Sequence, residues 1–115
     1  METKQVLAAL AALAQESRLA VFRLLVEAGP TGLSVGEIGA ALKVAPATLS
    51  FHLKELANAG LVDARQEGRY IYYSAHYARM DALLAYLTEN CCARDGCGSC
   101  SPRRPAARAR ARSPR

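Results

Sequence analysis

No cysteine occurs in the first 90 residues of this 115-residue chain. All four, Cys91, Cys92, Cys97 and Cys100, fall within the stretch "ENCCARDGCGSC" from Glu89 to Cys100. Such a cluster can be a staple, a redox pair, a metal grip or incidental. Nor is there an apolar run approaching the ~18 residues that a membrane helix needs, because Lys4, Glu16, Arg18 and Arg23 interrupt the apolar N-terminal third. Ala8 to Ala14 imitates a short signal-peptide core, but no cleavage-type segment follows and the pattern continues as an amphipathic helix. A cytoplasmic location is therefore expected, with no membrane partner. A reducing compartment argues against a structural disulfide. No internal repeat is present, and acidic residues are missing from 102–115, "PRRPAARARARSPR".

That last absence explains the net charge. Residues 1–101 hold nine Lys and Arg against ten Asp and Glu, a balance of −1, whereas the final segment holds six Arg, so the whole excess of +5 resides there. With three prolines and no apolar periodicity, 102–115 is expected to be disordered, serving either as a basic arm for DNA phosphates or as a solvated tail. The rest, 51% hydrophobic overall, suffices for one small core, in which help from oligomerisation is expected. A chain of this size suits a binding module better than an enzyme.

Helical spacing predicts a first helix over 4–14, with Val6, Leu7, Leu10 and Leu13 on one stripe. A second helix is expected from an N-cap at Ser17 to Ala28, with "GPTG" as a turn. Ser34 and Glu37 form a capping box that opens a short helix with core positions Ile38 and Leu42. Pro46 suits the first position of the next helix, which ends at Gly60. On a wheel that helix gathers Leu49, Leu53, Leu56, Ala57 and Gly60 on one side and Ala47, Phe51, Lys54 and Asn58 on the other, with Thr48, His52 and Glu55 along one flank and Ser50 along the other. "LVDARQEGRYIYYSA" predicts a two-stranded hairpin turning at Gly68. A last helix is expected over His76–Cys92, with Met80, Leu83, Leu84 and Leu87 as its stripe.

Two short helices joined by a tight break, then a hairpin, define the fold class as mainly α with a β-hairpin wing (α+β), a winged helix-turn-helix. The second helix of such a pair enters the major groove by its N-terminal half. Thr48, Ser50 and His52 are the polar groups nearest that end, Lys54 is placed for phosphate, and Arg65, Gln66 and Arg69 flank the wing tip. Each has a plainer reading. Ser50 can bond its own backbone one turn earlier, His52 borders the buried face and can be a core histidine, and Arg65 and Arg69 can simply solvate the wing. The combination points to double-stranded DNA.

The segments "SRLAVFRLLVEAGPTGLSVGEIGAAL", "LSFHLKELANAGLV" and "RQEGRYIYYS" resemble the ArsR/SmtB family of winged-helix metalloregulators over roughly residues 5–93. The resemblance implies a homodimeric repressor on an inverted-repeat operator that releases DNA on binding a metal or metalloid. It implies dimerisation through the first and last helices, where Val6, Leu10, Leu13, Met80, Leu83, Leu84 and Leu87 fit. The family's cysteine site on the first helix of the pair is missing, because "LSVGEIGAAL" has no cysteine. A zinc site on the last helix finds only His76 and Asp81. "TENCCARDGC" is similar to arsenic-responsive members, which implies a site of Cys91, Cys92 and Cys97, with Cys100 as a possible addition.

Soft thiolates select soft centres, and three sulfurs satisfy As(III) or Sb(III) as a pyramid. Adjacent cysteines diverge by about 100° on an ideal helix, so the helix must fray there. Gly96 and Gly98 let the chain turn back with Cys97. Four cysteines can also close a tetrahedral zinc site, but the C-C-x4-C-x2-C spacing is unlike paired C-x2-C knuckles. The expected organisation is residues 1–93 for DNA binding and dimerisation, 94–101 for the metalloid site and 102–115 as the tail. No cofactor is required, and As(III) or Sb(III) acts as inducer. Two other readings stay open: a thiol-redox or polysulfide sensor on the same fold, and a C-x-x-C oxidoreductase at "CGSC", which lacks the strand–helix context of that motif. Incidental cysteines on a DNA-binding domain complete the alternatives.

Overall fold

Ser34 and Glu37 organise the centre of the chain as their spacing predicts. The Ser34 backbone N–H donates to the Glu37 carboxylate at 2.8 Å, and the Glu37 backbone N–H donates to the Ser34 hydroxyl at 3.2 Å. The computed structural model describes residues 1–95; Cys97, Cys100 and the arginine tail lie outside them. The elements run α1 Thr3–Leu13, α2 Glu16–Ala28, β1 Leu33–Ser34, α3 Val35–Leu42, α4 Pro46–Asn58, β2 Val62–Glu67, β3 Tyr70–Ala75 and α5 Tyr77–Thr88, followed by a short 3-10 turn at Ala93–Asp95.

The joint between α3 and α4 is set by local chemistry. Lys43 takes a left-handed conformation (φ 57°), and the Val44 N–H closes on the Gly39 carbonyl at 3.2 Å. Pro46 then occupies the first turn of α4, where its missing N–H costs nothing. α4 ends in a paired closure, Gly60 N–H to Ala57 O at 2.9 Å and Leu61 N–H to Leu56 O at 3.0 Å, with Gly60 at φ 78°. This satisfies the last carbonyls and aims the chain into β2.

Leu25, Ile38, Leu49, Leu53, Leu56 and Leu61 are fully buried and carry the core, each contributing about 1.5–3 kcal/mol through removal from water. The helices are also tied by polar contacts. Arg18 Nε donates to the Ala12 carbonyl at 2.7 Å, closing the α1–α2 corner. The Thr3 hydroxyl meets the Tyr86 hydroxyl at 2.9 Å, joining α1 to α5. The Tyr77 hydroxyl lies between the carbonyls of Leu25 (3.2 Å) and Val26 (3.0 Å).

The fold departs from the sequence expectations in several places. The hairpin is part of a three-stranded antiparallel sheet of order β1-β3-β2, because Leu33 and Ser34 pair with Tyr73 and Tyr72. Gln15, not Ser17, caps α2; its side chain accepts from the Arg18 N–H at 2.9 Å. Ala57 is exposed, since Leu53 and Leu56 already fill the core side of α4. In α1 the core takes Val6, Ala9 and Ala12, and Leu7 and Leu10 face outward; small alanines let the helix approach its neighbours closely.

α5 stops at Thr88, short of the expected Cys92. The Thr88 hydroxyl turns back to the Leu84 carbonyl at 2.9 Å, and Asn90 then adopts φ 58°, a conformation asparagine tolerates better than most residues. Among the described residues no helix is long and apolar enough to cross a membrane.

Candidate nucleic-acid interface and thiol site

α4 separates its two faces sharply. Leu49, Leu53 and Leu56 hold it against the core, while Ala47, Thr48, Ser50, Phe51 and Lys54 are exposed. The Ser50 hydroxyl makes no hydrogen bond among the described residues, so the expected alternative of a bond to its own backbone is not formed. Thr48 and Lys54 are likewise without side-chain partners within the described residues. This leaves two hydroxyls and an ammonium presented outward from the N-terminal two-thirds of the helix.

His52 sits elsewhere. It is 7% exposed and its Nδ1 is buried without a hydrogen-bond partner. The groove-facing position expected for it is corrected to a core-flank position, because its place on the wheel lies toward Leu49 and Leu56. Phe51, by contrast, is 56% exposed, its ring tilted against that of His52 with centroids 5.8 Å apart. The wheel placed Phe51 outward, yet it was not among the expected contact residues; an aromatic left in solvent was the available signal.

The wing divides its cations. Arg65 is engaged: Nε pairs with Glu67 Oε2 at 2.6 Å, one terminal nitrogen donates to the Thr31 carbonyl at 3.1 Å, and the guanidinium lies 5.2 Å from the Tyr72 ring centroid. It therefore braces β2 to the turn before β1. Gln66 donates to the Gly68 carbonyl at 3.3 Å within the hairpin turn. Arg69, at the exposed tip, makes no ion pair among the described residues.

The residues expected at a dimer surface split in two. Leu10, Leu84 and Leu87 are 39%, 54% and 54% exposed, as is Leu7 at 60%. Val6 and Leu83 belong to the protomer's own core, and Leu13 and Met80 are half-buried. Leu19, Phe22, Val26, Met80 and Leu84 line an apolar groove of about 450 Å³ between α2 and α5.

Beyond α5, Cys91 and Cys92 lie in a tight turn rather than on a helix. Cys92 has φ 63°, and the two Sγ atoms are 3.6 Å apart. The 100° divergence expected on a helix is thereby removed. Cys91 is exposed and Cys92 half-buried. Among the described residues no three His, Cys, Asp or Glu side chains converge as a metal site. His76 is committed locally, its Nδ1 accepting from the Arg79 N–H at 3.1 Å as the cap of α5.

A helix-turn-helix pair with an exposed polar second helix and a following β-wing defines a DNA-binding protein of the winged helix-turn-helix class. Residues 13–65 match a family described as a helix-turn-helix domain. The chain is 41% identical over 76 residues to the uncharacterized HTH-type transcriptional regulator YceK of Bacillus subtilis, covering 66% of this chain and 72% of that one. It is 31% identical to HlyU of Vibrio cholerae, with a TM-score of 0.63 over 80% of this chain and 99% of that one. It is 33% identical to the homodimeric winged helix-turn-helix DNA-binding domain of a possible ArsR-family regulator from Mycobacterium bovis, with a TM-score of 0.60 over 76% and 81% of the two chains. The chain belongs to the ArsR family of winged-helix transcriptional regulators.

Proposed function

We propose that this regulator is a homodimeric repressor that leaves an inverted-repeat operator when As(III) or Sb(III) binds its C-terminal thiolates. The observation that carries the reading is the approach of Cys91 Sγ to Cys92 Sγ at 3.6 Å. Sulfurs bonded at the ~2.3 Å of a zinc–thiolate bond, meeting at angles of about 90–110°, lie roughly 3.3–3.8 Å apart. One soft centre can therefore bridge both sulfurs with little movement. A third sulfur must come from Cys97 or Cys100, and soft thiolates favour As(III) over harder ions.

The pair directly follows α5, whose outer leucines Leu84 and Leu87 are exposed. Drawing the turn around an ion therefore acts on the helix expected to set dimer geometry. A near-complete switch requires ~5.5 kcal/mol of differential binding, a demand shared between two sites in a dimer.

The test is release of full-length protein from its operator by As(III), in excess reductant so that disulfides cannot form. Wild type should dissociate, whereas Cys91→Ser, Cys92→Ser and Cys97→Ser should stay bound and Cys100→Ser should still respond. Wild type that ignores As(III) but leaves under peroxide would transfer the reading to thiol redox sensing. A reporter gene that falls silent without the protein would show an activator.

A further inference from the structure

We propose that Phe51 reads thymine through its 5-methyl group in the major groove. The inference rests on α4 being the groove helix of the family, and it assigns that helix a specificity-determining residue.

Phe51 is the large apolar side chain at the centre of the outward face of α4, 56% exposed. At 100° per residue it points away from the mean direction of Leu49, Leu53 and Leu56, which are 0–1% exposed. Among the described residues nothing covers it; the His52 ring touches it only at a tilt, 5.8 Å between centroids. The other exposed helix leucines, Leu7, Leu10, Leu19, Leu84 and Leu87, lie on α1, α2 and α5, so dimerisation through α1 and α5 leaves Phe51 bare.

Its surroundings are those of a DNA-facing surface. Thr48, Ser50 and Lys54 are exposed around it, and none has a side-chain partner among the described residues. In the major groove, A, G and C present hydrogen-bonding edges, while thymine adds an apolar methyl group. A phenyl ring offers no donor or acceptor to the other three. It leaves a polar base edge unpaired but gains buried area on a methyl group. Lys54 and the hydroxyls can then anchor to phosphate and fix the register.

The experiment uses the full-length protein and a duplex selected by it from a random-sequence pool. Each thymine in the selected half-site is replaced, in both half-sites together, by uracil, which removes only the methyl group. One position should weaken wild-type binding by about fourfold per half-site, or roughly fifteenfold for the pair, from ~0.8 kcal/mol per buried carbon. Phe51→Ala should bind both duplexes alike, and Phe51→Leu should retain part of the difference. If Phe51→Ala binds too weakly to measure, Phe51→Leu against wild type decides, because its uracil penalty should shrink.

Equal uracil penalties in wild type and variant would overturn the assignment, as would a selected site in which no thymine methyl matters. In both cases sequence-specific binding itself survives. Failure of the wild type to select any sequence would instead strike at the reading of α4 as a groove helix.

Discussion

Gly32→Ala should be among the most damaging single-methyl changes this chain can accept. Gly32 follows the turn Gly29–Gly32, closed by its N–H to the Gly29 carbonyl at 3.1 Å, and has φ 76°. A Cβ there would run into the carbonyl oxygen of Tyr73 on β3. The left-handed backbone alone costs an L-residue about 1–2 kcal/mol. Relief of the clash requires β1 to lift from β3, leaving backbone groups at Leu33 and Tyr73 poorly paired at about 1–3 kcal/mol.

The expected total is about 2–5 kcal/mol. Gly29→Ala is the control: its φ is 92°, but nothing lies within 4 Å of the added Cβ, so only the conformational cost of about 1–2 kcal/mol applies. The two variants share the conformational cost, so at ~4–8 °C per kcal/mol for a domain of this size the clash alone should make Gly32→Ala melt at least about 4 °C below Gly29→Ala. Both are measured by circular dichroism at one protein concentration, since in a dimer Tm would depend on concentration. Equal melting temperatures would show that β1 is not held closely against β3 and would refute the reasoning.

Tyr77→Phe should cost about 1 kcal/mol by removing the hydroxyl that meets the carbonyls of Leu25 and Val26, seen as a lower denaturant midpoint. Burial raises the Tyr77 phenol above 10.0, so the folded state favours the neutral form; the stability it contributes is intact below pH 10 and is lost as pH rises through the folded value. A Tyr77→Phe variant should show a shallower alkaline decline. Leu84→Glu with Leu87→Glu should yield folded monomer in analytical ultracentrifugation, because both side chains are more than half exposed in the protomer; an intact dimer would place the interface elsewhere. Ser50→Ala should weaken specific DNA binding at unchanged Tm, whereas His52→Ala should lower Tm by emptying a site that is 7% exposed. Truncation after Ser101 should flatten the salt dependence of DNA affinity by at most about five in log–log slope for each engaged arm, from ~0.9 per neutralised phosphate; an identical slope would make the arginine tail a solvated one.

Read alone, the chain already determines its punctuation and its class. The Ser34–Glu37 capping box, Pro46 opening α4, Gly60 closing it and Gly68 turning the wing are all local requirements, met by residues within a few positions of one another. They pin the helix–turn–helix–hairpin order and hence the DNA-binding class.

Tertiary structure decided what depends on distant neighbours. A two-residue strand such as β1 has no periodicity to read, and it exists only because β3 supplies its hydrogen-bond partners. Whether Val6, Ala9 and Ala12 or Leu7 and Leu10 face the core of α1 depends on how closely the other helices approach. The contacts of Arg65 with Thr31 and Tyr72 could not be read from the sequence, because only the fold brings those residues together, and His52 was drawn into the core flank. The two adjacent thiols converge for a local reason that helical spacing did not show: Thr88 and Asn90 end α5 early, and the turn that follows aims neighbouring side chains at one point instead of 100° apart.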